Sequence, residues 1–243
     1  NKNTPESIFE VQRTYTAGGL AVTTNVAAIC TPSHNGKGIY DGVEIPEMGT
    51  GMTTWTSMRP NSYFCDGLQT KKGNDKRKTL NMAWEYDGKP FSNVGTRPWL
   101  GPKFWCPGMQ NTADFNNQKI FRYADAVLMM SECYAEQENI DESIRYLNMV
   151  KERAGLAPYT FKNIESLMEE IQKERGRELL GEFQRKFDLV RWGIWYQMTY
   201  DYTNYSTLKE NMLPCHEYYP IPDKEVVYSG GALDNKAYNE YGM

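Results

Sequence analysis

Two consecutive amphipathic helices predicted near the middle of the sequence limit most strongly how this chain can fold. Asn139 and Ile140 are expected to form a short turn, after which Asp141 can cap a second helix that ends at Gly155. Two antiparallel helices joined so closely make a hairpin of about 38 residues, the scale of a tetratricopeptide (TPR) unit. The first helix is predicted from side chains spaced three and four apart, which share one helical face: Ile120, Ala124, Val127, Leu128, Ser131, Tyr134 and Ala135.

A single hairpin of this kind cannot bury its apolar face alone, because solenoids need about three or more stacked repeats for a continuous core. Only one clear hairpin is visible in the sequence. Either the rest of the chain covers this face, or other repeats lie in a longer protein of which this chain is a part. A third helix is predicted from about Asn163 to Gly181, followed by a short aromatic helix that ends at Gly193.

The chain is predicted to be mainly α, with a loop-rich, partly β section packed over a TPR-like helical scaffold. Residues 1–117 contain 13 aromatic residues, 13 glycines and only 13 Leu, Ile and Val, which favours turns and short strands. The best strand candidate is Ser7–Gln12. Residues 118–200 form the helical section, and residues 201–243 form a Tyr- and Pro-rich tail.

Charge and motifs exclude several classes of function. The net charge of −4 argues against a nucleic-acid binder, which needs a basic face, and no apolar run reaches the length of a membrane span. The sequence contains no hydrolase, zinc-protease, phosphate-loop or dinucleotide motif. The five cysteines fit no zinc spacing and are predicted to be buried free thiols. We therefore expect no cofactor and no metal.

The charged run between residues 174 and 191 allows two interpretations. Acids four apart on one helix face could act as a catalytic pair, as in glycosidases. Each acid, however, has arginines nearby in sequence, and such pairing keeps a carboxylate ionised, whereas a general acid needs a raised pKa. We expect structural ion pairs and no catalysis. The expected pairs are Glu174 with Arg177, Glu178 with Arg175, and Asp188 with Arg185 and Arg191.

The same run carries a resemblance to a known family. Three further stretches match the family in the expected order: Glu6–Gln12, Phe121–Glu132 with Leu147–Leu156, and Tyr219–Pro222. The segment Leu233–Gly242 departs from the usual family ending. The run resembles the C-terminal signature of the SusD/RagB family at Glu174, Arg175, Glu178, Leu179, Glu182, Arg185, Phe187, Asp188, Leu189, Arg191 and Trp192.

The resemblance implies a fold and a function. Family members are nutrient-binding outer-membrane lipoproteins of about twice this length, so the chain resembles their C-terminal half. The implied function is non-catalytic capture of a glycan at the outer cell surface and its delivery to a TonB-dependent SusC-like transporter. The membrane is expected to be reached only through an N-terminal lipid anchor that this chain lacks. Two alternatives stay open: a peptide ligand, as in RagB-like members, or a protein-interaction scaffold with no small ligand.

Aromatic residues on the loops are the candidate ligand contacts. Flat rings stack on the apolar face of a sugar, while polar side chains bind its hydroxyl groups. Trp55 is the first candidate because Thr and Ser flank it, and Trp84 is the second. The alternative is that these rings form the core of a section with few aliphatic residues. The full set of candidates is Tyr40, Trp55, Tyr63, Trp84, Trp99 and Trp105.

Overall fold

The structure is a computed structural model. It describes residues 2–14, 22–30, 38–40, 43–45, 58–86, 89–90, 98–106 and 112–242, with the backbone alone at 38–40, 43–45, 86 and 89–90. Contacts group the chain into two units, residues 1–185 and 186–243. Leu180 packs against two core clusters of the loop-rich section, and the sections expected at 1–117, 118–200 and 201–243 stay a prediction.

Helices dominate the second half of the chain, as predicted, and short helices occur in the first half. A π-helix at Tyr63–Leu68 and 3-10 helices at Pro102–Phe104 and Pro214–Glu217 accompany them. The α-helices are α1 Val26–Cys30, α2 Lys78–Asn81, α3 Tyr123–Glu136, α4 Ile140–Arg153, α5 Ile164–Glu178, α6 Arg185–Arg191, α7 Trp195–Tyr202, α8 Ser206–Asn211, α9 Asp223–Tyr228 and α10 Lys236–Asn239.

The helical hairpin is confirmed as α3 and α4, and α5 packs against both. The apolar faces of the three helices form one core, because residues three and four apart point to the same side. Its buried members are Val127, Leu128, Ala135, Leu147, Val150, Leu167 and Ile171. Ile120 was wrongly placed on the first helix: it lies in a strand, and α3 begins only at Tyr123.

Two small hydroxyl residues bring α3 and α4 close together. Ser131 and Ser143 are both fully buried. The hydroxyl of Ser131 donates to the Ser143 carbonyl at 2.9 Å, and that of Ser143 donates to the Ser131 carbonyl at 2.8 Å. These reciprocal bonds satisfy the polar groups that close approach takes out of water.

The helix ends follow the sequence at most positions. Helix α5 begins beside Asn163, near the predicted start, and Asn163 caps it because its Oδ1 accepts from the Ser166 amide at 2.7 Å. Gly155 has a φ of +76°, the left-handed conformation that ends a helix. The cap expected at Asp141 is wrong. Helix α4 begins at Ile140, so Asp141 lies in its first turn. A negative charge there stabilises the helix through its interaction with the helix dipole.

In the part of the chain that the structure describes, the strands are short and belong to three sheets. Strands β1 and β8 pair antiparallel with Phe9 opposite Phe121, which confirms the predicted strand at residues 7–12. A second sheet has the order β3-β2-β5-β6, and β4 pairs with β7. The strands are β1 Ser7–Val11, β2 Gly38–Tyr40, β3 Val43–Ile45, β4 Met82–Ala83, β5 Glu85–Tyr86, β6 Lys89–Pro90, β7 Trp99–Leu100 and β8 Gln118–Arg122.

The second unit has a thin core. Leu189, Trp195 and Met212 are buried, and Trp192 packs against them half-buried. Helices α8, α9 and α10 bury no residue, as expected for a tail that contributes little core of its own.

All five cysteines are free thiols, as predicted. Burial raises the pKa of the Cys30 thiol to about 12, and the nearby Asp114 carboxylate raises it further. Cys133 differs from the other four because it is exposed on α3. The buried cysteines are Cys30, Cys65, Cys106 and Cys215.

Candidate ligand-binding site

The signature acids of α5 lie in a buried network of ion pairs. Glu174 is fully buried. Its Oε2 lies 2.7 Å from Arg177 Nη1, and its Oε1 lies 2.8 Å from Arg77 Nη1. Arg77 also contacts Glu178 at 2.6 Å and Asp75 at 2.8 Å. The guanidinium that precedes α2 therefore links the loop-rich section to the long helix α5.

A second arginine joins the network from strand β8. Arg122 Nη1 contacts Glu178 at 2.7 Å, and its Nε contacts Glu182 at 2.7 Å. Arg153, the last residue of α4, also pairs with Glu178. Arginine suits this place because its planar fork can bind several carboxylates at once. Three basic residues from three different elements thus converge on Glu178.

Of the four expected ion pairs, two are present, Glu178 with Arg175 is wrong, and Asp188 with Arg185 stays a prediction. Glu174 pairs with Arg177, and Asp188 with Arg191 at 2.9 Å. Arg175 does not pair with Glu178; it contacts Asp125 of α3 at 2.9 Å, because its side chain points toward the hairpin. The Arg185 guanidinium donates to the carbonyl of Gln172 at 3.0 Å.

The electrostatics of the network hold Glu178 and Glu182 in their charged form. Burial alone raises the pKa of Glu178, but Arg122, Arg77 and Arg153 outweigh it and bring the pKa to about 2. The pKa of Glu182 is also lowered, because Lys103 and Arg122 outweigh the effect of its burial. A general acid must hold a proton near neutral pH, so these carboxylates are unsuited to that role.

Acid should therefore destabilise the first unit. The carboxylate of Glu178 titrates near 4.5 in the unfolded chain and near 2 in the folded one. Its contribution is complete above pH 4.5 and is lost as the pH falls toward 2. We expect unfolding temperatures to drop through this range, and Glu178→Gln to make the drop shallower. Differential scanning fluorimetry between pH 7 and 2 measures both, and an equal slope in the two proteins would contradict the assignment.

The candidate rings have unequal surroundings. Trp84 and Trp99 are half-buried beside the β4–β7 ribbon, and the Arg59 guanidinium lies 4.2 Å from the Trp99 ring centroid. Tyr63 is half-buried at the start of the π-helix. The rings of Trp84, Trp99 and Tyr63 therefore each keep some accessible surface. Trp55 and the side chain of Tyr40 lie outside the described residues.

Trp105 is a core residue, contrary to its expected role in ligand contact. Only 4% of it is exposed, and its indole N–H donates to the Leu100 carbonyl at 3.1 Å. The ring packs with Phe104 and the small residues of α1. So little free ring surface leaves no face on which a sugar could stack.

A polar cleft of about 600 Å³ opens beside the ion-pair network in the first unit. It lies between the 3-10 helix at 102–104, strand β8 and the end of α4. Its lining includes Lys76, Lys103 and Lys119, together with Arg122 and Glu178 of the network. Sequence reasoning missed this cleft, although residues 1–117 carry a slight excess of basic side chains, 12 against 10 acidic.

Comparison with known proteins identifies the fold. A family model described as the SusD family matches residues 96–238, which is more than half of the chain. The chain belongs to the SusD/RagB family. SusD-like protein P25 of Formosa agariphila is 34% identical to it over 175 residues, or 68% of this chain and 32% of that protein.

Solved SusD-type structures share the fold. A SusD superfamily protein from Bacteroides vulgatus matches with a TM-score of 0.59 at 24% identity, over 93% of this chain and 49% of that one. Surface glycan-binding protein A from Bacteroides thetaiotaomicron, solved with laminarihexaose, matches with a TM-score of 0.61 at 20% identity, over 94% and 51%. The chain thus spans about a third of the curated relative and half of these structures.

Across the described part of the chain, no helix combines the length and the apolar character needed to cross a bilayer.

Proposed function

We propose that this SusD-family chain binds a glycan without chemical conversion and serves nutrient uptake at the outer cell surface. The observation that carries the proposal is the family fold, which a surface glycan-binding protein solved with laminarihexaose shares. Binding without catalysis is supported by Glu178 and Glu182, because their lowered pKa values keep these two carboxylates ionised. The full protein would be lipid-anchored in the outer membrane and would pass its ligand to a SusC-like TonB-dependent transporter.

The half-buried tryptophans supply the sugar contacts in this proposal. Trp99 lies on a two-stranded ribbon whose pairing places Ala83 opposite it, and Trp84 directly follows Ala83. Binding groups held on such a fixed element lose little conformational freedom when the ligand arrives. Trp55 remains the first candidate from sequence, and Tyr40 and Tyr63 complete the set.

Replacing a stacking tryptophan should weaken glycan binding selectively. We expect Trp84→Ala, Trp99→Ala or Trp55→Ala to raise the Kd of a bound oligosaccharide about tenfold, since ring stacking contributes about 0.5–1.5 kcal/mol beyond the area buried. The Kd is measured by isothermal titration calorimetry. The ligands are laminarihexaose, a panel of plant and host glycans, and short peptides. Tyr228→Ala is the matched control, because that ring is 80% exposed in the second unit.

The same titrations separate the alternatives. Peptide binding without glycan binding would support a RagB-like role, and binding of neither would support an interaction scaffold. Unchanged glycan affinity in all three tryptophan variants would disprove the proposed contacts. Reducing sugar released on long incubation would disprove the non-catalytic assignment.

A further inference from the structure

Helix α3 buries several polar side chains and exposes apolar ones. Asp125, Ser131 and Glu132 are buried, with exposed fractions of 4%, 0% and 7%. Tyr123 and Met130, in contrast, are 55% and 39% exposed. A surface helix normally turns its apolar stripe toward the core and its charged side chains toward water. The outward side of α3 is therefore typical of a helix that a further element covers.

The exposed apolar residues of α3 follow a regular spacing. Tyr123, Ala126, Met130 and Cys133 are separated by three, four and three positions, so they line one face of the helix. Ala126 is partly exposed and the other three are exposed. Apolar residues that alternate at three and four positions form a seam for a second helix, whose axis lies about 20° from that of the first. These four residues are named the α3 seam below.

The strand that leads into α3 extends this apolar surface. Phe121 of β8 is 46% exposed and is followed two positions later by Tyr123, the first residue of the α3 seam. Phe9 of β1 lies opposite Phe121 and is 57% exposed. Apolar residues exposed side by side mark interaction sites, whereas scattered single ones are ordinary on a protein surface. The surface therefore runs from the β1–β8 pair along α3.

The two neighbouring helices have outward sides of the opposite character. The exposed residues of α4 include Asp141, Arg145 and Glu152, and those of α5 include Glu165 and Glu169. Charged side chains of this kind are favourable in water. Of these three helices, each of which the structure describes over its full length, only α3 exposes a continuous apolar stripe. The apolar surface is thus specific to α3.

Repeat geometry and chain length point to the element that covers the seam. Helix α5 packs against α3 and α4 through the core that contains Leu128, on the other side of α3 from Met130. A repeat in a helical solenoid contacts a neighbour on each of its two sides, so a second neighbour is expected on the seam side. The chain spans about half the length of the SusD-type structures that share its fold. A protein of their length has room for further helical hairpins.

We infer that an amphipathic helix packs along the α3 seam, and that this helix belongs to a further helical hairpin of a longer polypeptide that includes this chain. Ala126, the small residue within the seam, lets the two helix backbones approach closely, and Met130 adapts its shape to the partner side chains. The packing is independent of the ligand, so it can fail while the proposed glycan binding stands.

Matched substitutions in two lengths of the protein test this packing. Met130 in the seam and Met149 on α4 are 39% and 42% exposed. In this chain alone, Met130→Glu and Met149→Glu should each lower the unfolding temperature by less than about 2 °C. In the full-length protein expressed from the same gene, Met130→Glu should lower it by about 5 °C or more, because the charge is then buried without a partner. Met149→Glu should have the same small effect in both.

Differential scanning fluorimetry gives these temperatures. If Met130→Glu does not fold in the full-length protein, Met130→Ala replaces it, with an expected drop of about 3 °C or more against Met149→Ala. Equal effects of the Met130 and Met149 variants in the full-length protein would overturn the inference. Sedimentation showing that this chain forms a dimer, which Met130→Glu dissociates, would also overturn it, because a second copy would then occupy the seam.

Discussion

Glu178→Gln should lower the free energy of unfolding of the first unit by about 3 kcal/mol. Removing one partner of a buried ion pair typically costs about 3–5 kcal/mol, because the remaining charges stay buried without compensation. Glu178 is shared by Arg77, Arg122 and Arg153, so all three guanidiniums are affected. We place the value at the low end because Arg77 keeps Asp75 and Glu174, and Arg122 keeps Glu182.

Urea unfolding followed by far-ultraviolet circular dichroism measures this loss. Glu169→Gln is the control on the same helix, because Glu169 is 63% exposed and pairs with Lys173 one turn away. An exposed pair of this kind contributes about 0.2–1 kcal/mol. If the two variants were equally stable, the buried network would not be what holds α5 against the loop-rich section.

Gly181→Ala should be the second large effect, at about 2–4 kcal/mol. Gly181 has a φ of +71°, where any other residue costs about 1–2 kcal/mol. A Cβ there would also lie 2.5 Å from the Cζ of Phe104. Displacing that ring from a packed core costs about 1–3 kcal/mol more.

Gly193→Ala separates the cost of the backbone conformation from the cost of displacing Phe104. Its φ of +69° is almost the same, but a Cβ added there would meet nothing within 4 Å. This variant should lose only the backbone part, about 1–2 kcal/mol. Thermal unfolding of both variants gives the comparison. An equal loss of stability in the two would show that the Phe104 ring moves aside without destabilising the fold.

The sequence predicted the elements that depend on neighbouring residues. The α3–α4 hairpin and the start of α5 near Asn163 follow from apolar spacing within a few positions. The error at Ile120 has a physical cause. Its spacing fits a helix face, yet pairing with β1, more than a hundred residues earlier in the chain, makes the segment a strand.

The candidate site shows the same limit of prediction from neighbouring residues. Glu174 and Arg177 are one helical turn apart, so their pairing was predictable. Arg77 reaches Glu174 across 97 positions and Arg122 reaches Glu178 across 56, and no local pattern reveals such partners. The prediction for Trp105 fails for a related reason. The composition of its loop is typical of a loop with exposed rings, whereas packing against α1 buries this ring.

The five thiols differ in solvent exposure, so the protein can be labelled selectively at one cysteine. Cys133 on α3 is exposed, whereas the other four cysteines are buried, and the high pKa of Cys30 suppresses its reactive thiolate further. A maleimide dye or spin label should therefore attach at one position of the unmodified chain. Because Cys133 does not line the cleft, the label would report on ligand-induced changes from outside the site.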